Sequence, residues 1–280
     1  MRKIKEQLII DTVAMLCVDA NYNLSCDVRN AIIVGQEREK EGSNAKEILT
    51  RLIENADIAK NERMAICQDT GMAIVFVEIG QEVYIEGGLT NAINKGVAKG
   101  YAEGYLRKSI VRHPLDRVNT GDNTPAVIHY DIVEGETLKI TVAPKGFGSE
   151  NMSGVKMLKP SDGYDGVVDF VVDTVKNADS NPCPPIVVGV GIGGSMEKAA
   201  LLAKQALLIP LDEGNKDEIS AKLEKELLDK INETEIGPMG FGGCTTALGV
   251  KVLTFPTHIA GLPVAVNISC HVTRHSMAII

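Results

Sequence analysis

The tetrad Cys67-Gln68-Asp69-Thr70, followed by Gly71, sets a soft metal ligand two residues from a carboxylate inside a short polar connection. A thiolate can hold a metal and a carboxylate can move a proton, so the pairing suits metal-assisted acid–base chemistry. Two further cysteines stand in comparable settings. Cys183 lies in Asn181-Pro182-Cys183-Pro184-Pro185, ahead of the apolar run Ile186-Val187-Val188, and Cys270 ends the run Val264-Ala265-Val266-Asn267-Ile268-Ser269. Each flanks a proline, glycine or polar turn at a predicted strand end, and three thiols so placed point to a shared iron–sulfur cluster. They are far apart in sequence, with none of the compact Cys-x-x-Cys spacings of zinc ribbons or ferredoxins. The competing reading of any one of them is a buried small hydrophobe. Cys17, in an apolar helical stretch, and Cys26, at a helix start, fit that competing reading; Cys244, in Gly242-Gly243-Cys244-Thr245, is open between the two.

Three thiolates around a four-iron cluster leave one iron without a protein ligand, and an open iron can bind substrate oxygens as a Lewis acid. That is hydro-lyase chemistry. Removing a hydroxyl beta to a carboxylate requires a polarised leaving oxygen, a base for the carbon-bound proton and cations to hold a dicarboxylate. Asp69 could supply the acid, provided its surroundings raise it above the ordinary aspartate value of about 3.9. Its competing reading is a turn or N-cap aspartate.

The 280 residues, 44% hydrophobic and 24% charged, are enough to bury a core in one large domain or two small ones. A net charge of -8, with lysines scattered among acidic residues, gives no basic field for nucleic acid. No apolar run approaches the roughly 20 residues of a bilayer span. Met1-Arg2-Lys3-Ile4-Lys5 resembles a signal n-region, but Glu6 and Asp11 put charges where an apolar h-region would have to lie, so a mature cytoplasmic N-terminus is expected. Six cysteines are too few for a disulfide scaffold and suit a reducing compartment.

The elements that must position these residues read as a mixed helix and sheet, α+β, fold. A single domain is expected, with a helical region over about 1–62 packed on a sheet-bearing, cluster-binding region over about 63–280. Helices are predicted at 4–19, 26–40 and 44–60, the last two capped by Ser25 and Ser43. Ala65-Ile66 and 72–79 read as strand, 89–106 as a helix despite three internal glycines, and 126–133 with 138–142 as a hairpin across Glu134-Gly135-Glu136. Between them runs a long polar loop containing Asn119-Thr120-Gly121-Asp122-Asn123-Thr124-Pro125, turn chemistry throughout and too long to be only a connection. Helices at 165–177, 195–208 and 217–231, with strands at 186–190, 246–254 and 264–269, complete the pattern.

At Ala65-Ile66-Cys67-Gln68-Asp69-Thr70-Gly71, Val118-Asn119-Thr120-Gly121-Asp122-Asn123, Cys183-Pro184-Pro185 and Pro256-Thr257-His258 followed by Cys270, the chain resembles the α subunit of two-subunit, class I iron–sulfur fumarate hydratases, and more distantly that of L-tartrate dehydratase. The resemblance covers nearly the whole chain. It implies a fold of the class I fumarase catalytic type and a 4Fe-4S cluster held by Cys67, Cys183 and Cys270. It implies Asp69 as catalytic acid, with Gln68, Arg107, Gly148 and His258 contacting a small dicarboxylate, and a β subunit that supplies the base in a heterotetramer. On that reading the enzyme hydrates fumarate to malate, and the chain alone is inactive. Tartrate and related dicarboxylates suit the same iron chemistry.

Each carried-over residue has a plainer competitor. Arg107, at the end of a predicted helix, could complement the helix dipole, although a guanidinium also suits a carboxylate. His258 could be an exposed loop histidine, and His271 and His275, beside Cys270, are its rivals. Gly189-Val190-Gly191-Ile192-Gly193-Gly194 satisfies the dinucleotide fingerprint between a strand and a helix, with Asp212 beyond it, so nucleotide binding is the runner-up. Against it stand the absence of repeated β-α-β units and the alternative that these glycines permit close helix packing.

Overall fold

The computed structural model describes residues 1–280. In chain order the elements are β1 (Arg2–Lys5), α1 (Glu6–Tyr22), α2 (Cys26–Arg38), α3 (Asn44–Glu62), β2 (Met72–Gly80), β3 (Val83–Glu86), α4 (Leu89–Glu103), β4 (Val127–Val133), β5 (Leu138–Lys145) and α5 (Phe147–Glu150). They continue with β6 (Gly154–Leu158), α6 (Gly163–Ala178), β7 (Ile186–Gly193), α7 (Met196–Ala206), α8 (Glu218–Asn232), β8 (Ala247–Phe255), β9 (Leu262–Ser269) and β10 (Ser276–Ile279). The fold is α+β, as the sequence predicts. It divides into two compact units, one of Met1–Leu24, Ala56–Phe147 and Arg274–Ile280, the other of Ser25–Asn55 and Gly148–Thr273. α1 belongs to the first unit and α2 to the second, and α3 passes from the second to the first at Ala56. No helix is long and apolar enough to cross a membrane.

In the first unit the sheet order is β10-β5-β2-β4. β2 reads MAIVFVEIG, almost continuously apolar, and such a run is stable only when neighbours cover it on both edges and both faces. It pairs antiparallel with β5 and parallel with β4. The expected hairpin of 126–133 with 138–142 is thus corrected: both strands form, but β2 lies between them. Buried Ile9, Val13, Leu16 and Cys17 make one face of α1, packed with Ile93, Val97 and Tyr101 of α4 over Val75, Val77, Ile140 and Val142. Full burial of each valine or isoleucine stabilises by roughly 1.5–3 kcal/mol. The glycines of α4 have a packing reason: a Cβ at Gly100 would stand 2.6 Å from the Ala14 carbonyl, so α4 lies on α1 only without one. α4 ends at Glu103, where Tyr105 takes φ 49 while its N–H donates to the Ala102 carbonyl and that of Leu106 to the Tyr101 carbonyl. β1 and β3 add a two-stranded parallel ribbon that the sequence pattern does not predict.

In the second unit the order is β6-β9-β7-β8, with β7 parallel to β8 and antiparallel to β9. Ile186, Val188 and Val190 of β7 face an apolar layer with Val167, Val171 and Val175 of α6 and Leu223, Leu227 and Ile231 of α8, residues four apart on their helices. The opposite face of β7 carries Gly189 and Gly191, on which α7 lies. A Cβ at either would come within 2.1 Å of the Ala203 or Ala199 carbonyl, so these glycines are consumed by helix–sheet contact. The N–H of Gly194 donates to the Pro256 carbonyl at 3.2 Å rather than facing an open cradle. Packing accounts for the whole Gly189–Gly194 pattern, and the dinucleotide reading loses its support.

Candidate active site

The tetrad lies in the first unit, in the irregular connection from α3 to β2; Ala65 and Ile66 form no strand there. Its path is set by the sheet register. Met72 pairs with Lys145, so the chain entering β2 runs beside the chain leaving β5. Gly71 must be glycine, because its φ is +77 and a Cβ would stand 2.8 Å from the Lys145 backbone. Asp69 is gripped from both sides: Gly71 N–H donates to Oδ1 at 3.0 Å and Phe147 N–H to Oδ2 at 3.0 Å. A Cβ on Gly146 would reach within 3.1 Å of Oδ2. The Asp69 N–H donates to Cys67 Sγ at 3.4 Å, and the thiol donates to Gln68 Oε1 at 3.4 Å. Cys67 and Asp69 are half-buried and Gln68 is exposed, so all three can be reached from solvent.

The loop is braced from below by residues that no sequence motif singles out. Tyr101, fully buried, donates through its hydroxyl to the carbonyls of Thr70 at 2.8 Å and Gly71 at 3.0 Å, and burial pushes its phenol far above the ordinary range. Asn123, also fully buried, donates to the Gly71 carbonyl at 3.2 Å and accepts from Ser109 N–H at 2.7 Å. The long polar loop is therefore a bracket. It holds the irregular segment after α4, where Thr70 Oγ1 donates to the Arg107 carbonyl at 3.1 Å. Arg107 sits in that segment, exposed, past the end of α4, which removes the helix-dipole role. At Asp122 burial opposes the charge, but the N–H and hydroxyl of Thr124 outweigh it and hold the carboxyl below its usual value. Arg274 Nη2 donates to the Asp69 carbonyl from a position only 6% exposed. Tyr101 and Arg274 carry no signal in the sequence, since neither stands in a motif.

Cys183, Cys270, Gly148 and His258 belong to the second unit. β7 and β9 are antiparallel with Val187 opposite Ser269, so Cys183 before β7 and Cys270 after β9 leave the sheet at one end. His271 Nδ1 lies 3.1 Å from the Cys183 carbonyl. Cys183 is exposed with φ 56, a conformation uncommon outside glycine and asparagine. Gly148 is near this end too, since a Cβ on it would stand 3.9 Å from the Asn181 carbonyl. His258 is not. It precedes β9, whose eight residues run on the order of 25 Å to Cys270. Within this unit His258 therefore lies at the end of β9 away from Cys270, while His271, its rival, lies beside Cys183.

No disulfide joins any of the six cysteines. Burial pushes the Cys17 thiol up to about 12, which removes it as a ligand. Cys26 is exposed rather than buried, and at Cys244 burial and the nearby Glu39 carboxylate push the thiol up, disfavouring the thiolate. Within neither unit do three or more histidine, cysteine, aspartate or glutamate side chains converge on a metal position. The donor chemistry nonetheless fits an iron–sulfur group: Cys67, Cys183 and Cys270 are accessible thiols. Cys67 Sγ already accepts the Asp69 backbone N–H, the kind of hydrogen bond that orients a metal-ligating group.

The sequence profile described as fumarate hydratase (fumerase) matches residues 10–279. A protein of Methanocaldococcus jannaschii, provisionally named L(+)-tartrate dehydratase subunit alpha, is 44% identical over 277 residues, covering 96% of each chain. The L(+)-tartrate dehydratase subunit alpha of Escherichia coli O157:H7 is 33% identical over 242 residues, covering 85% of this chain and 80% of its own. With nearly its full length matched, and its cysteine and aspartate loop built as described, the chain belongs to the fumarate hydratase (fumerase) family.

Proposed function

We propose that this chain is the α subunit of an iron–sulfur hydro-lyase that hydrates fumarate reversibly to (S)-malate together with a β subunit. The observation that carries the reading is the pairing, in one solvent-reached loop, of the Cys67 thiol with an Asp69 carboxylate whose direction two backbone amides fix. Relatives named as alpha subunits support the need for a partner chain. Cys67, Cys183 and Cys270 would hold a 4Fe-4S cluster, which when bound supplies Lewis-acid polarisation of the substrate hydroxyl. Asp69 carries the proton: each carboxylate oxygen already accepts one N–H and keeps a second lone pair for it. Its orientation is preset, so no side-chain entropy is lost when substrate arrives. Arg107 offers an exposed guanidinium for one carboxylate, Gln68 an exposed amide for another polar group, and Gly148 a side-chain-free approach. His258, in the loop that leads into β9, would contact substrate as the resemblance implies. Six cysteines with no disulfide among them suit a reducing cytoplasm.

A second reading, dehydration of L(+)-tartrate, is favoured by the names of the relatives. The two separate in one experiment. The chain and its candidate β subunit are loaded anaerobically with iron and sulfide, and kcat/KM is compared for fumarate and L(+)-tartrate. A preference for fumarate of about tenfold or more, with negligible turnover by the chain alone, is expected. The reverse preference establishes the second reading, and no turnover of either by the iron-loaded pair sinks both.

A further inference from the structure

Arg274 is a buried cation whose guanidinium is mostly unpaired. Its side chain is packed into the first unit at 6% exposure, its Nη2 donates to the Asp69 carbonyl, and its Nε and Nη1 are buried without a partner. Leaving a buried guanidinium so poorly paired is destabilising. An apolar residue of similar length would fill the space without that cost. What the guanidinium does at Asp69 must therefore offset it.

The restraints on the loop show what that is. Thr70 and Gly71 are held at their carbonyls by Tyr101, and Gly71 again by Asn123. Asp69 is held at its carboxylate by Gly71 and Phe147. On its carbonyl side, Arg274 is the hold. Without it the Asp69 carbonyl has no hydrogen bond, and the carboxylate loses part of its fixed bearing against the two amides that aim it. We propose that Arg274 is a positioning residue for the reaction, fixing the Asp69 main chain so that the carboxylate stays clamped between Gly71 and Phe147. The proposal rests on Asp69 being the catalytic acid.

The test has two arms. In the iron-free chain, hydrogen exchange is measured at the Gly71 and Phe147 amides in wild type, Arg274→Met and Arg274→Lys. Exchange at both amides should quicken at least about tenfold in Arg274→Met, while Val75, Val77 and Val142 amides in β2 and β5 keep their protection. Lysine, still able to donate to the Asp69 carbonyl, should restore most of the protection. In the iron-loaded pair, Arg274→Met should lower kcat by about a hundredfold with KM changed less than about threefold, the scale of a 1 Å misplacement. Unchanged exchange at Gly71 and Phe147, equal loss of protection across β2 and β5, or a rise in KM at constant kcat would each overturn the proposal. If Arg274→Met does not fold, Arg274→Lys decides: unchanged protection and kcat support it, and loss of both overturns it. Should the loaded wild type turn over neither dicarboxylate, the exchange arm still decides the positioning role, so failure of the functional reading is seen separately.

Discussion

The backbone N–H of Phe147 donates to Oδ2 of Asp69 at 3.0 Å across 78 residues of sequence. The contact arises from the Met72–Lys145 pairing, which draws the loop before β2 and the turn after β5 together at one corner of the sheet. A carboxylate that meets backbone amides on both oxygens has its direction set by the sheet, and substitutions there act on aim as well as on chemistry.

Asp69→Asn should lower kcat by about 10²–10⁴-fold, the usual contribution of a general acid, while iron content per chain stays at the wild-type level. Asparagine also sets an NH₂ against one of the two amide donors, a local cost of about 1–3 kcal/mol. Iron analysis beside steady-state kinetics checks both; an unchanged rate removes Asp69 from the mechanism.

Cys67→Ala, Cys183→Ala and Cys270→Ala should each reduce iron bound after anaerobic reconstitution, whereas Cys17→Ala and His258→Ala should not. Cys17 is sealed in the core, and His258 lies at the far end of β9 from Cys270. Iron lost in His258→Ala with an intact fold would contradict the placement of that histidine.

Gly191→Ala should destabilise the protein by about 3 kcal/mol or more, since the added methyl meets the Ala199 carbonyl at 2.1 Å and backbone must shift. Urea unfolding reads the loss. Dinucleotide titration of the wild type should show no binding, because α7 fills the space those glycines leave.

Stability should fall as pH rises above about 9. Burial holds the Cys17 thiol at about 12 against an ordinary 9.0. Below pH 9 both folded and unfolded chains keep this proton. Above it only the unfolded chain releases it, which favours unfolding by roughly 1.4 kcal/mol per pH unit until the folded thiol ionises. Tyr101, raised from 10.0 by burial, adds the same sign from about pH 10 upward. Cys17→Ala should make the fall of the urea midpoint above pH 9 shallower, leaving the part due to Tyr101 and the raised Cys244 thiol; an equal slope in both proteins would rule out Cys17 as a source.

Much of the local structure was legible from sequence. Periodic apolar residues marked α1, α6 and α8, and apolar runs marked β2, β7 and β9, because each element's period is set by its own backbone. The Cys67–Gly71 tetrad was visible as an unusual pairing of thiol and carboxylate, and its resemblance to a known α subunit led to the family that the full-length match establishes. The partners of Asp69 were not legible. Phe147 contributes only an N–H, which every residue but proline has, so no side chain announces it. Tyr101 and Arg274 are ordinary in sequence and become important only when α4 and the segment before β10 fold beneath the loop. The glycines of β7 could be read either as a phosphate cradle or as a packing surface, and His258 either beside Cys270 or a strand's length away. Those choices depend on which face of a strand a helix covers and at which end of a sheet a loop emerges. Long-range pairing alone decides them, and it leaves no periodic trace in the chain.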